Sequence, residues 1–341
     1  MHPPWYFVLP KERNQPSGGN IYNKYIIQAL QQVGQSVEVI SADDYLQAVF
    51  QDQTGIYWVD TLVLESIQEV LSLSPSQAHS LLIVHHLESL APAKGQSAEK
   101  LRAQEEPWLN WFNGFLATSY FTKDYLRQRE VSQPIVVTEP GTNISLTATP
   151  KRSTEKVHAL MVANLVERKG ILPWLQWLVE NVSTRDQFAL TITGRLDIEP
   201  VYAQQCISVI KDHSLLLKYV YLVGSQPFNQ MTNFYHKSNL FISVASMETF
   251  GMALQEARVY QLPILTTDGG NSAYHLTSGQ TGYVFSNLTQ LGSFFLDLIR
   301  KPTEFTNLYE RTQQYPASYL SWKQTASELV QQFDQFFTYA P

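Results

Sequence analysis

Short apolar runs of strand length alternate with segments of helical period along nearly the whole chain. This alternation is the strongest constraint on the fold. Residues 5–9, 36–40, 56–59, 81–84, 115–117 and 135–137 read as strands. Between the first two, Ile21, Tyr22, Tyr25, Ile26, Ala29, Leu30 and Val33 recur at helical spacing, and Gly34 follows as a cap. A polar stretch, residues 147–155, carries Pro150, Lys151 and Arg152 and reads as a linker. The pattern then restarts with strands at 157–162, 188–193, 219–223, 240–244 and 263–266. Helical segments fit between most of these runs. Strands separated by helices build βαβ units and a parallel sheet. The sequence thus predicts an α/β chain of two Rossmann-like, doubly wound domains, residues 1–150 and 151–316. In the remainder, 317–341, a helix is expected over about 317–337, packing back towards the first domain on Leu320, Leu329, Val330, Phe333, Phe336 and Phe337.

Composition removes several classes of function. The chain has 24 Lys and Arg against 30 Asp and Glu, a formal net charge of -6, which argues against a protein held to nucleic acid by a general basic field. Nine basic and fifteen acidic residues lie in 1–150, so the whole excess sits there. Electrostatics alone therefore do not hold that half to an anionic membrane, although Lys11, Arg13 and Lys24 suggest a local basic patch. The single cysteine, Cys206, rules out an internal disulfide and any cysteine-cluster zinc site. No apolar run reaches the ~18 residues a spanning helix needs. Residues 1–5 lead straight into the first strand with no signal-peptide pattern. A soluble, cytoplasmic protein is the expectation.

Doubly wound sheets bind ligands beyond the carboxyl ends of their strands, and four such places carry chemistry. In Pro16-Ser17-Gly18-Gly19-Asn20, two glycines open the first helix, so backbone can approach a ligand and free amides can meet an anion. An ordinary loop-to-helix turn reads the same way. His85-His86-Leu87-Glu88 follows a strand, and imidazoles there can donate to sugar hydroxyls or to a leaving oxygen. Neighbouring side chains point to opposite faces, which is poor geometry for shared metal ligation; one packed and one exposed histidine is the alternative. Glu167-Arg168-Lys169-Gly170 places two cations before a helix, where Arg binds oxygens bidentately and Lys supplies a point charge to a diphosphate. A solvated charged turn is the alternative. The fourth place runs from Ser246 to Ala257. Glu248 is expected in the loop and Glu256 about two turns into the helix, with the amides of Thr249, Phe250 and Gly251 facing the cleft. Carboxylates suit polyols such as ribose or hexose, and amides suit phosphate. The alternative is a surface Glu and a Glu favoured by the helix dipole.

Glu248 and Glu256, seven residues between them, with Phe250-Gly251 inside and Ala257 after, resemble the signature of family 4 retaining glycosyltransferases. The resemblance extends to Gly18-Gly19, to the segment from Val162 to Gly170, and to Tyr221-Leu222-Val223-Gly224. Asp268-Gly269-Gly270-Asn271, Gly279-Gln280-Thr281-Gly282-Tyr283 and Pro140-Gly141-Thr142-Asn143 also occur in the family's order. His85-x-Leu87-Glu88 is similar to a segment of sucrose-making members. The likeness covers most of the chain and is tightest over 157–285. It implies the GT-B fold, with the active site in a cleft between two domains, the acceptor on the first and the nucleotide-sugar donor on the second.

By the same resemblance, Glu248 binds donor-sugar hydroxyls with help from the Phe250 and Gly251 amides, and Glu256 holds the ribose. Arg168 and Lys169 neutralise the diphosphate, Gly18 and Gly19 approach it from the other domain, and His85 lies near the sugar and the leaving oxygen. The donor implied is a nucleotide-diphosphate sugar, most commonly of UDP, with GDP and ADP also used in the family. The acceptor is a saccharide, glycan precursor or other glycoconjugate, and no separate cofactor is needed. No Asp-x-Asp triplet, the metal signature of the other main glycosyltransferase fold, occurs, which fits a metal-independent reaction. Two positions depart from the pattern: Ala163-Asn164-Leu165 stands for Gly-Arg-Leu, and Ala273 for a frequent glutamate. They motivate the alternative of a catalytically degenerate GT-B protein acting as a binding or partner subunit. An epimerase or phosphorylase on the same fold is a third reading. A dinucleotide oxidoreductase would need Gly-x-Gly-x-x-Gly after a first strand, and a P-loop enzyme a Walker sequence; neither is present.

Overall fold

A computed structural model describes residues 4–11, 17–51, 53–72, 79–93, 95–144 and 152–337. Arg13, Pro16, Pro150 and Lys151 lie outside the described residues. The elements run β1 (Trp5–Val8), α1 (Gly18–Gln32), β2 (Val37–Ile40), α2 (Ala42–Phe50), β3 (Ile56–Asp60), β4 (His79–Val84), α3 (Ala98–Trp111), β5 (Gly114–Ala117), α4 (Tyr120–Gln128) and β6 (Ile135–Val137). They continue with β7 (Val157–Val162), α5 (Ile171–Asn181), β8 (Phe188–Thr193), α6 (Pro200–Asp212), α7 (Ser214–Tyr219), β9 (Val220–Gly224), α8 (Phe228–Lys237) and β10 (Leu240–Ser243). The last are α9 (Met252–Val259), β11 (Ile264–Thr267), β12 (Gly282–Phe285), α10 (Leu288–Arg300), α11 (Pro302–Gln313) and α12 (Trp322–Phe336). The chain divides into two units, Met1–Asn143 with Tyr319–Pro341, and Ile144–Ser318.

In the first unit six parallel strands lie in the order β2-β1-β3-β4-β5-β6. Strands β3 and β5 are buried at every position, as expected of a parallel sheet covered on both faces, and this is why they stand out in the sequence as unbroken apolar runs. α12 belongs to this unit. Its Phe333 ring lies 4.9 Å from Trp5 and 5.7 Å from Trp58, while Trp322 meets Tyr22 and Tyr25 of α1, each at 5.6 Å. The Gln332 amide closes the edge of β6, its Oε1 accepting from the Val137 N–H at 3.2 Å and its Nε2 donating to the Val137 carbonyl at 3.0 Å. The helix begins later than periodicity suggests. Ser321 and Gln324 form a capping box that starts it at Trp322, and residues 317–320 are not helical.

The second unit's order is β12-β11-β10-β7-β8-β9, again all parallel. Strand β12 was not anticipated. It is a half-buried edge strand opening on Gly282, and a short run of that kind gives little apolar signal. Tyr219 ends α7, so β9 starts one residue later than read. The core centres on Trp174, stacked on Trp177 at 5.6 Å and meeting Phe295 edge-on at 5.5 Å. Arg152, read as linker, is bound into this unit. Its guanidinium donates to the carbonyls of Tyr235, His236 and Tyr260 and to the Tyr309 hydroxyl. Among the described residues no helix is long and apolar enough to cross a membrane.

Counted from β7, the second sheet has the order 3-2-1-4-5-6, and it reverses direction between β7 and β10. Ligands bind at such a switch point. The two loops leaving these strands, 163–170 and 244–251, carry the candidate donor residues. In the first sheet the reversal lies between β1 and β3, which lead to Gly18-Gly19 and to Asp60.

Candidate active site

The residues singled out by sequence fall into two groups, one in each unit. In the second unit, Glu167–Lys169 form a single 3-10 turn and Gly170, with φ +68°, leads into α5. Lys169 Nζ lies 2.5 Å from Glu248 Oε1, and both side chains are about 15% exposed. Burial pushes the Lys169 ammonium down from its ordinary value; Glu248 opposes this, Arg168 adds to it, and the net displacement is downward. Arg168 is exposed. Its carbonyl accepts from the Ser246 N–H at 2.9 Å and the Ser246 hydroxyl at 3.1 Å, which joins the two loops.

The loop bearing Glu248 is pinned from the following strand. Glu248 N–H donates to the Gly269 carbonyl at 3.2 Å, and the Glu248 carbonyl accepts from the Asn271 N–H at 2.7 Å. Gly251 has φ +93° and is the N-cap of α9, with no side chain filling the cap. That backbone conformation favours glycine, and the first amides of a helix have no intrahelical acceptor. Lys169, Glu248, Ala253 and Leu254 line one pocket. Thr249 and Phe250 lie in the same loop, with Phe250 buried.

Glu256 is the fifth residue of α9, so it sits about one turn in, not two. Tyr235 hydroxyl donates to its Oε2 at 2.6 Å. Burial pushes the Glu256 carboxyl up to about 6, against the pull of the Tyr235 hydrogen bond. A raised folded-state pKa means the folded unit holds this proton more tightly than the unfolded chain. The resulting stability is full below the ordinary value of 4.5 and is lost as pH rises through about 6. His275, pushed down to about 4 by burial, acts in the opposite sense, losing stability as pH falls. The comparison that isolates Glu256 is therefore wild type against Glu256→Gln. Urea titrations at pH 4.5 and 7.5 are expected to show the wild type losing about 2 kcal/mol relative to the variant as pH rises. Equal pH dependence in both proteins refutes this.

In the first unit, Gly18 and Gly19 are the first residues of α1, capped by the Ser17 hydroxyl accepting from the Asn20 N–H at 3.2 Å. A Cβ on Gly19 would sit 3.1 Å from the His85 ring, so glycine lets helix and imidazole approach. His85 Nε2 is 3.0 Å from Asn23 Oδ1 and 3.5 Å from Asp60 Oδ2. Asn23 Nδ2 donates to the same Asp60 oxygen at 2.5 Å. Asp60 is fully buried at the end of β3 and also accepts from the Leu62 N–H at 2.8 Å. Burial pushes its carboxyl up, but the His85 ring and these donors outweigh it, leaving it below the ordinary carboxylate value. Among the described residues no group of three or more His, Cys, Asp or Glu is arranged to hold a metal ion.

Asn271 was named in sequence only within the Asp268–Asn271 stretch, and Asp60, Asn23, Tyr235 and His275 were not singled out. For Asp60 a signal existed, a lone carboxylate ending an apolar strand; the others carry none. Tyr221 is 51% exposed, and its hydroxyl donates to the Lys218 carbonyl at 3.1 Å. Tyr202 is half-buried, its hydroxyl accepting from the Leu172 N–H at 2.9 Å. At Asn164, where the resemblance calls for a cation, the side-chain Oδ1 accepts from the Arg195 N–H at 3.0 Å.

Residues 146–310, nearly all of the second unit, match the family model described as glycosyl transferases group 1. Among solved structures, sucrose-phosphate synthase from Thermosynechococcus elongatus superposes with a TM-score of 0.78 at 16% identity, covering 99% of this chain and 100% of that one. HepE from Anabaena in complex with UDP and glucose gives 0.73 at 14% identity, covering 98% and 100%. The catalytic domain of starch synthase IV from Arabidopsis thaliana, bound to ADP and acarbose, gives 0.64 at 10% identity, covering 98% and 99%. No curated protein matches the chain in sequence. Two parallel six-stranded sheets with these neighbours define the GT-B fold.

Proposed function

We propose that this chain is a retaining glycosyltransferase of family 4. It moves a hexose from a nucleotide-diphosphate sugar, a UDP-sugar first among the candidates, to a hydroxyl of a saccharide, glycan precursor or other glycoconjugate, without a metal ion. The observation that carries the reading is the grouping at one switch point of the partly buried Lys169–Glu248 pair, the left-handed Gly251 opening α9, and Glu256 one turn further on. The group 1 family match over the same residues supports it. So do the complexes of HepE with UDP-glucose and of starch synthase IV with ADP.

In this reading the bond between the anomeric carbon and the diphosphate breaks first, and negative charge grows on the leaving phosphate. Lys169, Arg168 and the amides at the start of α9 stabilise that charge. Glu248 accepts hydrogen bonds from the sugar hydroxyls, with the Phe250 and Gly251 amides donating beside it, and Glu256 accepts them from the ribose. The departing phosphate oxygen takes the proton of the acceptor hydroxyl as the new glycosidic bond forms on the face just vacated. No carboxylate acts as nucleophile. His85, Gly18 and Gly19 are assigned to the same donor on the resemblance, and the acceptor to the first unit.

Calorimetric titration with UDP, GDP and ADP tests the reading. One nucleotide is expected to bind in the micromolar range, and Glu256→Ala is expected to weaken it about thirtyfold, the loss of one hydrogen bond to a charged group. Turnover is expected to be unchanged by a chelator. No binding of any of the three overturns the transferase reading. A second reading, a binding or partner subunit, is favoured by Asn164, whose side chain holds the Arg195 backbone where the family places a cation. Nucleotide binding with no turnover of any donor would move that reading to first place.

A further inference from the structure

The Phe250 carbonyl is held by two side chains from the segment after β11. His275 Nε2 lies 2.6 Å from the Phe250 oxygen, and Asn271 Nδ2 donates to it at 3.2 Å. A carbonyl oxygen has two lone pairs, and here each has a donor. Because Nε2 faces an acceptor, it carries the ring proton. Burial pushes the His275 pKa down to about 4, so the ring is neutral at ordinary pH and the tautomer is fixed. The imidazole is 4% exposed and meets the Phe250 ring edge-on at 4.8 Å. A Cβ on Gly251 would lie 3.3 Å from His275 Nε2.

A trans peptide is planar, and its N–H points opposite to its C=O. Holding the Phe250 oxygen towards His275 and Asn271 therefore fixes the Gly251 N–H away from them. We infer that His275, with Asn271, is a positioning residue that aims the Gly251 amide at the transferred sugar, so that it sets affinity for the sugar and not for the nucleotide. Asn271 also ties the Glu248 carbonyl through its own N–H at 2.7 Å. One short segment thus holds both the carboxylate loop and the amide beside it. His275 itself touches no substrate. The inference rests on the transferase reading above, in which Glu256 and Lys169 hold the nucleotide diphosphate and Glu248 and the Gly251 amide hold the sugar.

The test compares UDP with UDP-glucose, UDP-galactose and UDP-N-acetylglucosamine on the full chain. It uses wild type, His275→Phe, His275→Gln and Asn271→Ala. His275→Phe keeps a ring against Phe250 but loses the N–H; His275→Gln keeps an N–H donor. UDP affinity is expected to be unchanged in all three variants. Affinity for the best-bound UDP-sugar is expected to fall about tenfold in His275→Phe and Asn271→Ala and to stay within about threefold in His275→Gln. If His275→Phe does not fold, Asn271→Ala and His275→Gln carry the comparison. Equal loss of UDP and UDP-sugar, or no loss of either, overturns the inference while leaving the transferase reading intact. A wild-type chain that binds neither UDP nor any of these sugars, nor GDP or ADP, overturns both.

Discussion

Replacing Lys169 with methionine is expected to lower kcat/KM for sugar transfer about a thousandfold, the scale at which removing one preorganised electrostatic partner acts. Two effects add. The substitution removes the partly buried cation assigned to the leaving diphosphate. It also strands Glu248, whose Oε1 lies 2.5 Å from Lys169 Nζ in a site where both side chains are about 15% exposed. An unpaired carboxylate there repels the incoming phosphates. Arg168→Met is expected to cost no more than about tenfold, because an exposed charge is screened by water. The double variant Lys169→Met with Glu248→Gln separates the two effects. It removes the stranded charge, so its thermal stability should exceed that of Lys169→Met alone, while its activity stays at the lower level. Groups acting on one transition state are not additive. Initial rates and melting curves on the four proteins check this. A Lys169→Met enzyme within tenfold of wild type would sink the assignment of Lys169 to the diphosphate.

What the sequence discloses and what it hides divides along one physical line. Strands buried on both faces leave continuous apolar runs, so β3, β4 and β5 are visible at once. In such sheets, chemistry sits just past the strand ends, so His85, Lys169 and Glu248 can be found by position alone. The hidden features depend on contacts between distant residues. Asp60 and Asn23 are 37 residues apart, and His85 lies 62 from Asn23; only the sheet order brings them together. The same holds for His275 and Phe250, separated by 25 residues. Edge elements are hidden for another reason. β12 is half-buried and opens on glycine, so it lacks the apolar run that marks the inner strands. The start of α12 is set by a capping box at Ser321 and Gln324, whereas apolar spacing alone extends it to residue 317.

Arg152→Ala is expected to destabilise the second unit by about 3 kcal/mol, from several charge-assisted hydrogen bonds partly replaced by water. A polar stretch beside a proline reads as linker, yet this guanidinium closes two helices at once. Its Nε and Nη2 donate to His236 and Tyr235 at 3.2 Å, the last carbonyls of α8, and Nη2 also reaches the Tyr260 carbonyl at 3.1 Å, the C-cap of α9. Carbonyls at helix ends lack intrahelical partners, and the helix dipole favours a cation there. Nη1 adds the Tyr309 hydroxyl on α11 at 3.2 Å. Arg152→Lys should recover at most about a third of the loss, because one ammonium cannot reproduce a planar fork. The effect should reach the donor site. Tyr235 and Tyr260 stack at 4.7 Å, and the Tyr235 hydroxyl holds Glu256 at 2.6 Å. Loosening α8 against α9 therefore loosens the carboxylate assigned to the ribose. Hydrogen exchange should show faster opening in α8 and α9 in the variant, with the first unit's sheet unchanged, and nucleotide affinity should fall several-fold. Unchanged protection in both helices would mean that solvent already serves these carbonyls and that Arg152 is the linker residue its sequence suggests.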